Sequence, residues 1–115
     1  MLFRSKKELQ ETMWDNVAII RSEQGLRMAL RTISQLEGQI SRMNVPEESK
    51  FNRYLQEALE VENMIETAKM VITAAVLRQE SRGAHYREDF PETRDDWKKS
   101  IVLNRNGKIG LISRV

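Results

Sequence analysis

The chain has no cysteine and a single histidine, His85, among its 115 residues. Without cysteine there is no disulfide framework, no thiolate nucleophile and no cysteine metal site, which fits a reducing compartment. One histidine and carboxylates that lack calcium-loop spacing leave no metal-ligating pattern. The five glycines (Gly25, Gly38, Gly83, Gly107 and Gly110) form neither a GxGxxG run nor a P-loop, so no nucleotide or flavin site is built from this chain alone. Charge of one sign is also scarce. The 19 basic and 17 acidic side chains leave a net charge of +2, too weak to argue for nucleic acid or an acidic membrane. The longest apolar run, residues 70–77, falls far short of the ~20 residues of a membrane span. The first residues turn charged at once, without the apolar core of a secretory signal.

What the chain does contain is helical periodicity. Apolar residues make up 40% and charged residues 31%, the balance of one helix-rich globular domain. Ser5 with Glu8 reads as a capping box, and Leu9, Met13, Val17 and Ile20 then form one apolar stripe, with Trp14 beside it. This first helix is expected to end near Ile20 or Arg21. Ser22 can cap a second helix, whose seam is Leu26, Ala29, Ile33, Leu36, Ile40 and Met43. Residues 44–50, with Pro46, read as a loop. A third helix is expected over residues 51–82, with Tyr54, Ala58, Val61, Ile65, Ala68, Ile72 and Ala75 facing inward and Gly83 as its stop.

The expected helix lengths do not match. At 1.5 Å per residue the third spans roughly 48 Å, the second roughly 33 Å and the first roughly 24 Å. The stretch "MVITAAVL" (70–77) is nonetheless apolar nearly all round, which requires burial on several sides. Its cover must come from the C-terminal tail, a second copy or another domain. Beyond Gly83 the helical period is lost. Asn106-Gly107 between two runs rich in Ile, Val and Leu signals a type I′ hairpin, with strands over residues 101–105 and 108–114. The reading is a mainly α fold: a three-helix bundle with a short C-terminal β-hairpin. Residues 1–99 form the bundle and an irregular segment, and residues 100–115 form a hairpin packed on the bundle or on a partner.

That irregular segment, "RQESRGAHYREDFPE" (78–92), concentrates the polar chemistry. Ser81, His85 and Asp89 could be drawn as a hydrolytic triad, but no nucleophile-elbow sequence surrounds Ser81 and nothing in the spacing fixes their geometry. From residue 78 to 99 the basic side chains Arg78, Arg82, Arg87, Arg94, Lys98 and Lys99 are matched by Glu80, Glu88, Asp89, Glu92, Asp95 and Asp96. A phosphate-tracking surface does not carry such matching carboxylates. Arginine forks paired with carboxylates and carbonyls suit a protein–protein contact. Next to an over-hydrophobic helix, the segment reads as a docking surface.

The string "RQESRGAHYREDFPETRDDW" resembles the C-terminal signature of the fumarate reductase and succinate dehydrogenase flavoprotein subunits. "ETMWDNVAIIRSEQGLRMAL" resembles that family's first two helices, and "LEVENMIETAKMVITAAVLRQESRG" its long third helix. L-aspartate oxidase, a relative, ends in a similar domain. The resemblance covers nearly the whole chain, and its most specific motif is Glu80-Ser81-Arg82-Gly83-Ala84-His85. It implies a spectrin-repeat-like three-helix domain that packs on the FAD-binding and capping domains of the same subunit. The whole subunit would interconvert succinate and fumarate at FAD and pass electrons to an iron–sulfur subunit, in the cytoplasm at the inner face of a membrane. The dinucleotide-binding glycines, the flavin-carrying histidine and the catalytic arginine of the family have no counterpart here. No catalytic, cofactor-binding or metal-binding residue is therefore carried over. A domain-docking role is carried over for Glu80, Arg82, His85, Arg87 and Asp89. An L-aspartate oxidase domain, a stand-alone helical interaction module, and pairing of the apolar helix face with a second copy remain alternatives.

Overall fold

The computed structural model describes residues 2–41, 53–104 and 108–113. Three helices, α1 (Leu2–Val17), α2 (Glu23–Ser41) and α3 (Arg53–Leu77), are followed by a 3-10 turn (Asp95–Trp97) and two strands, β1 (Lys99–Leu103) and β2 (Ile109–Ser113). The three helices pack on one another, and the core between them is the periodic seam. Leu26, Ala29, Ile33, Leu36 and Ile40 of α2 meet Val61, Ile65, Ala68, Ile72 and Ala75 of α3, with Leu9 and Val17 from α1. The expected inward positions Met43 and Tyr54 and the loop over 44–50 lie outside the residues whose side chains are described.

The helix ends differ from expectation, and each difference has a local cause. The first helix begins at Leu2, so Ser5 sits inside it rather than at its cap. Ser5 lies one turn before Leu9 on the core side and is 4% exposed. A Ser-x-x-Glu spacing arises equally when a small residue faces the core. The same helix stops at Val17 rather than near Ile20, because the next residues are drawn elsewhere. The Arg21 amide donates to the Tyr86 carbonyl at 2.9 Å, and the Glu88 amide donates to the Arg21 carbonyl at 2.8 Å. This pairing demands extended backbone, and Ile19 and Ile20 are left pointing outward.

At the start of α2 the expected cap is present: the Gly25 amide donates to Ser22 Oγ at 3.1 Å. Ser22→Ala should therefore lower stability by about 1 kcal/mol in a denaturant melt; an unchanged midpoint would mean that solvent satisfies that amide equally well.

The third helix ends at Leu77, five residues before the expected Arg82. Its last carbonyls are taken by the Arg87 side chain, which stands where another helical turn would have supplied amides. Gly83 does not stop the helix. It forms a tight turn at φ 58°, flanked by reciprocal backbone bonds between Arg82 and His85. The apolar stretch 70–77 is only partly covered: Ile72 and Ala75 are buried, Val76 and Leu77 half-buried, and Met70 and Val71 remain exposed.

The hairpin is antiparallel, with Lys99 opposite Ser113 and Leu103 opposite Ile109, so β1 begins two residues earlier than expected. The Asn106-Gly107 turn lies outside the described residues. β1 rests on α3, while Ile109, Leu111 and Ile112 of β2 are exposed. Among the described residues no helix is long and apolar enough to cross a membrane.

Candidate functional site

The segment after α3 is tied together by two buried charged residues. The first is Glu80, which has no exposed side-chain surface. Its Oε2 accepts from Arg78 at 2.5 Å and from Arg82 Nε at 2.9 Å, and its Oε1 accepts from the Arg94 amide at 2.9 Å. Burial alone would push this carboxyl up. The bonds from Arg82, the Arg94 amide and Arg78 outweigh it and hold the pKa at about 2. Arg82 also donates to the Arg94 carbonyl, so the turn at Gly83 is fastened to the chain eleven to twelve residues on.

The second is Arg87, also fully buried. Its guanidinium donates to the Val76 carbonyl at 2.8 Å and to that of Ala75 at 3.3 Å. It grips Asp89 with two bonds, Nε to Oδ1 at 3.1 Å and Nη2 to Oδ2 at 2.7 Å. Glu23 approaches at 3.6 Å, and the Phe90 ring lies 4.8 Å from the guanidinium carbon. Asp89 in turn accepts from the Glu23 amide at 3.2 Å, so one carboxylate links Arg87 to the start of α2. Burial disfavours the Asp89 carboxylate, but the bonds from Arg87 prevail and hold its pKa below the usual range.

Ser81 sits between the two. Its hydroxyl donates to the Phe90 carbonyl at 2.8 Å and accepts from the Arg87 amide at 2.9 Å. His85 points elsewhere: its Nδ1 lies 2.9 Å from Arg21 Nη1 and its Nε2 3.2 Å from the Arg78 carbonyl. Since arginine can only donate and a carbonyl can only accept, Nδ1 is the acceptor and Nε2 carries the proton. Ser81, His85 and Asp89 thus spend their bonds on three different sets of partners. They form no triad.

Of the five residues singled out by the sequence, Glu80 and Arg87 are interior. Arg82, His85 and Asp89 are partly accessible around them. Tyr86, at the tip, is 42% exposed. Sequence reasoning missed Arg21, whose backbone and side chain both bind the segment from 64 residues away. It counted Arg78 within the segment but gave it no role; Arg78 donates to the Trp97 and Lys99 carbonyls and stacks on Trp97, fixing the hairpin to the end of α3. Neither belongs to a periodic pattern, so spacing gave no sign of these contacts.

A second surface lies between α1 and α3. It is an apolar groove of about 600 Å³ lined by Leu9, Met13, Val17, Met64 and Val71, with Trp14 on its edge at 74% exposure.

Among the described residues no glycine turn joins a strand to a following helix, the arrangement that holds a dinucleotide's pyrophosphate in doubly wound folds; the two strands form an antiparallel hairpin after the last helix.

Comparison with known proteins bears on what such a domain belongs to. The family model for the fumarate reductase flavoprotein C-terminus matches residues 6–112. The chain is 51% identical over 109 residues to one of the subunits of the fumarate reductase (CoM/CoB) of Methanothermobacter marburgensis, covering 95% of this chain and 20% of that protein. It is 35% identical over 107 residues to the succinate dehydrogenase flavoprotein subunit of Coxiella burnetii, covering 90% of this chain and 18% of the relative. Among solved structures, an E. coli quinol fumarate reductase chain superposes with a TM-score of 0.87 at 21% identity, covering 98% of this chain and 21% of that one, which shows the shared fold. The chain thus spans about a fifth of the length of the relatives it matches.

Proposed function

Because the chain belongs to the fumarate reductase flavoprotein C-terminal family, we propose that it serves as the C-terminal domain of an FAD-dependent fumarate reductase or succinate dehydrogenase flavoprotein subunit. The observation that carries this reading is the match over residues 6–112, at 51% identity to the Methanothermobacter fumarate reductase protein. The chemistry, interconversion of succinate and fumarate at FAD, belongs to the parts of the subunit beyond this chain. The chain's own work is mechanical. The bundle provides a stiff platform, and the segment around Glu80, Arg82, His85, Arg87 and Asp89 docks on the FAD-binding and capping domains of the same subunit. Residues 1–99 act as the platform and residues 100–115 as the hairpin laid against it.

Two features support docking. The segment is over-determined by buried ion pairs, so it presents one fixed shape and loses little conformational freedom on association. The groove beside Trp14 is apolar and open, and the four-fifths of the relatives' length not represented here is the natural occupant. An iron–sulfur subunit completes the electron path, in a cytoplasmic complex peripheral to the inner face of a membrane.

The test is a flavin titration of the 115-residue chain, followed by an assay with succinate and an artificial electron acceptor. The chain is expected neither to bind FAD tightly nor to reduce the acceptor. Stoichiometric flavin binding, or turnover, would overturn the division of labour proposed here.

A further inference from the structure

An open recess of about 420 Å³ lies between the end of α3 and the hairpin. It is lined by the apolar side chains of Val71, Ala74, Ala75 and Ile101 and by the polar side chains of Arg21, Arg78, His85 and Ser100. The three basic side chains come from three separate stretches: the link between α1 and α2, the end of α3, and the docking segment. Among the described residues no aspartate or glutamate lines the recess. The nearby carboxylates are engaged away from it, Glu80 by Arg78 and Arg82, and Asp89 and Glu23 by Arg87.

Arg78 is therefore balanced by Glu80. Arg21 is not: among the described residues no carboxylate pairs with it. Its Nε donates to the Val17 and Ala18 carbonyls, and its Nη1 donates to His85 Nδ1. Burial makes its charged form harder to sustain, lowering its pKa. A half-buried guanidinium that contacts only neutral acceptors keeps an uncompensated positive potential at the recess. The neighbouring His85 registers that potential. Burial, and beyond it the charges of Arg21, Arg78 and Arg87, press its pKa below the usual histidine value, against the hydrogen bond to the Arg78 carbonyl.

We propose that this recess is a binding site for a carboxylate group, held by the Arg21 fork with His85 beside it. The planar guanidinium matches a carboxylate with two parallel bonds, and the apolar part of the lining suits a short carbon chain attached to it. Occupation should also favour protonated His85, because an anion in the recess offsets the Arg21 charge beside it. Two sources offer the same carboxylate chemistry: a free small carboxylate, or an aspartate or glutamate side chain of protein packed over this face.

His85 is the sole histidine, so its ring resonances report on the site without ambiguity. The experiment is a titration of the labelled 115-residue chain with acetate and with malonate, against chloride at matched ionic strength. A saturable His85 shift with both carboxylates is expected, with a His85 pKa that rises on saturation and no saturable response to chloride. Arg21→Gln should weaken binding roughly tenfold or more. Ala74→Leu, which adds bulk to the lining of the recess and leaves every charge in place, should block it as well, and serves if Arg21→Gln disturbs the end of α1. Saturation below millimolar concentration identifies a free ligand. Weak binding of both probes alike, in the tens of millimolar, identifies a recess shaped for a protein side chain. A His85 response to the carboxylates that equals the response to chloride overturns the proposal.

Discussion

Arg87→Met is expected to destabilise the chain by about 3–5 kcal/mol, a large share of a single domain's total stability. Methionine keeps much of the apolar stem but offers no donor. The Ala75 and Val76 carbonyls at the end of α3 would then lose their partner, and Asp89 would lose both of its bonds to the guanidinium. Those groups are enclosed, so water cannot fully replace the arginine. The damage should spread, because Asp89 also bonds the first amide of α2. Arg87→Lys should recover little, since a single ammonium cannot hold a carboxylate in a fork and reach two helix carbonyls at once. Chemical denaturation measures the loss, and hydrogen exchange locates it at the ends of α3 and α2. A loss under about 1 kcal/mol would mean that the guanidinium is incidental to the fold.

Glu80→Ala is the second large effect, expected at about 3 kcal/mol. Three donors converge on this carboxylate, and two of them, Arg78 and the Arg94 amide, hold the hairpin and the 3-10 turn to the bundle. The contribution of Glu80 also has a pH signature. Its pKa falls from the ordinary 4.5 to about 2 on folding, so between those values the unfolded chain binds the extra proton. Stability from Glu80 is therefore fully present above pH 4.5 and is lost as pH falls towards 2. Acid titration of the wild-type chain should show this slope, and Glu80→Ala should flatten it. Parallel acid profiles for the two proteins would show that other carboxylates govern acid unfolding.

The bundle was legible from residue spacing alone. Leu26, Ala29, Ile33, Leu36 and Ile40, and Ala58, Val61, Ile65, Ala68, Ile72 and Ala75, are all buried, because three-and-four spacing leaves one face of each helix to fill the core. The helix ends were less legible. α3 ends where the Arg87 side chain, eleven residues beyond Val76, takes its carbonyls, and α1 ends where the Arg21 backbone is drawn into pairing with residues 86–88. Such long-range capping leaves no local sequence signal. The same holds for the irregular segment over residues 78–92. The string Glu80 to Asp89 stood out by composition, yet composition could not say that Glu80 and Arg87 point inward while Tyr86 points out. That division is set by the turn at Gly83, where backbone bonds between Arg82 and His85 reverse the chain.

Whether this chain works as one domain of a larger flavoprotein is tested most directly in cells that express it. The measurement is an immunoblot with an antibody raised against the 115-residue chain, followed by flavin analysis of the captured species. A band several times larger than 13.5 kDa that co-purifies with flavin is the predicted result. A band at 13.5 kDa without flavin would contradict it, and would leave an independent helical module in place of a flavoprotein domain.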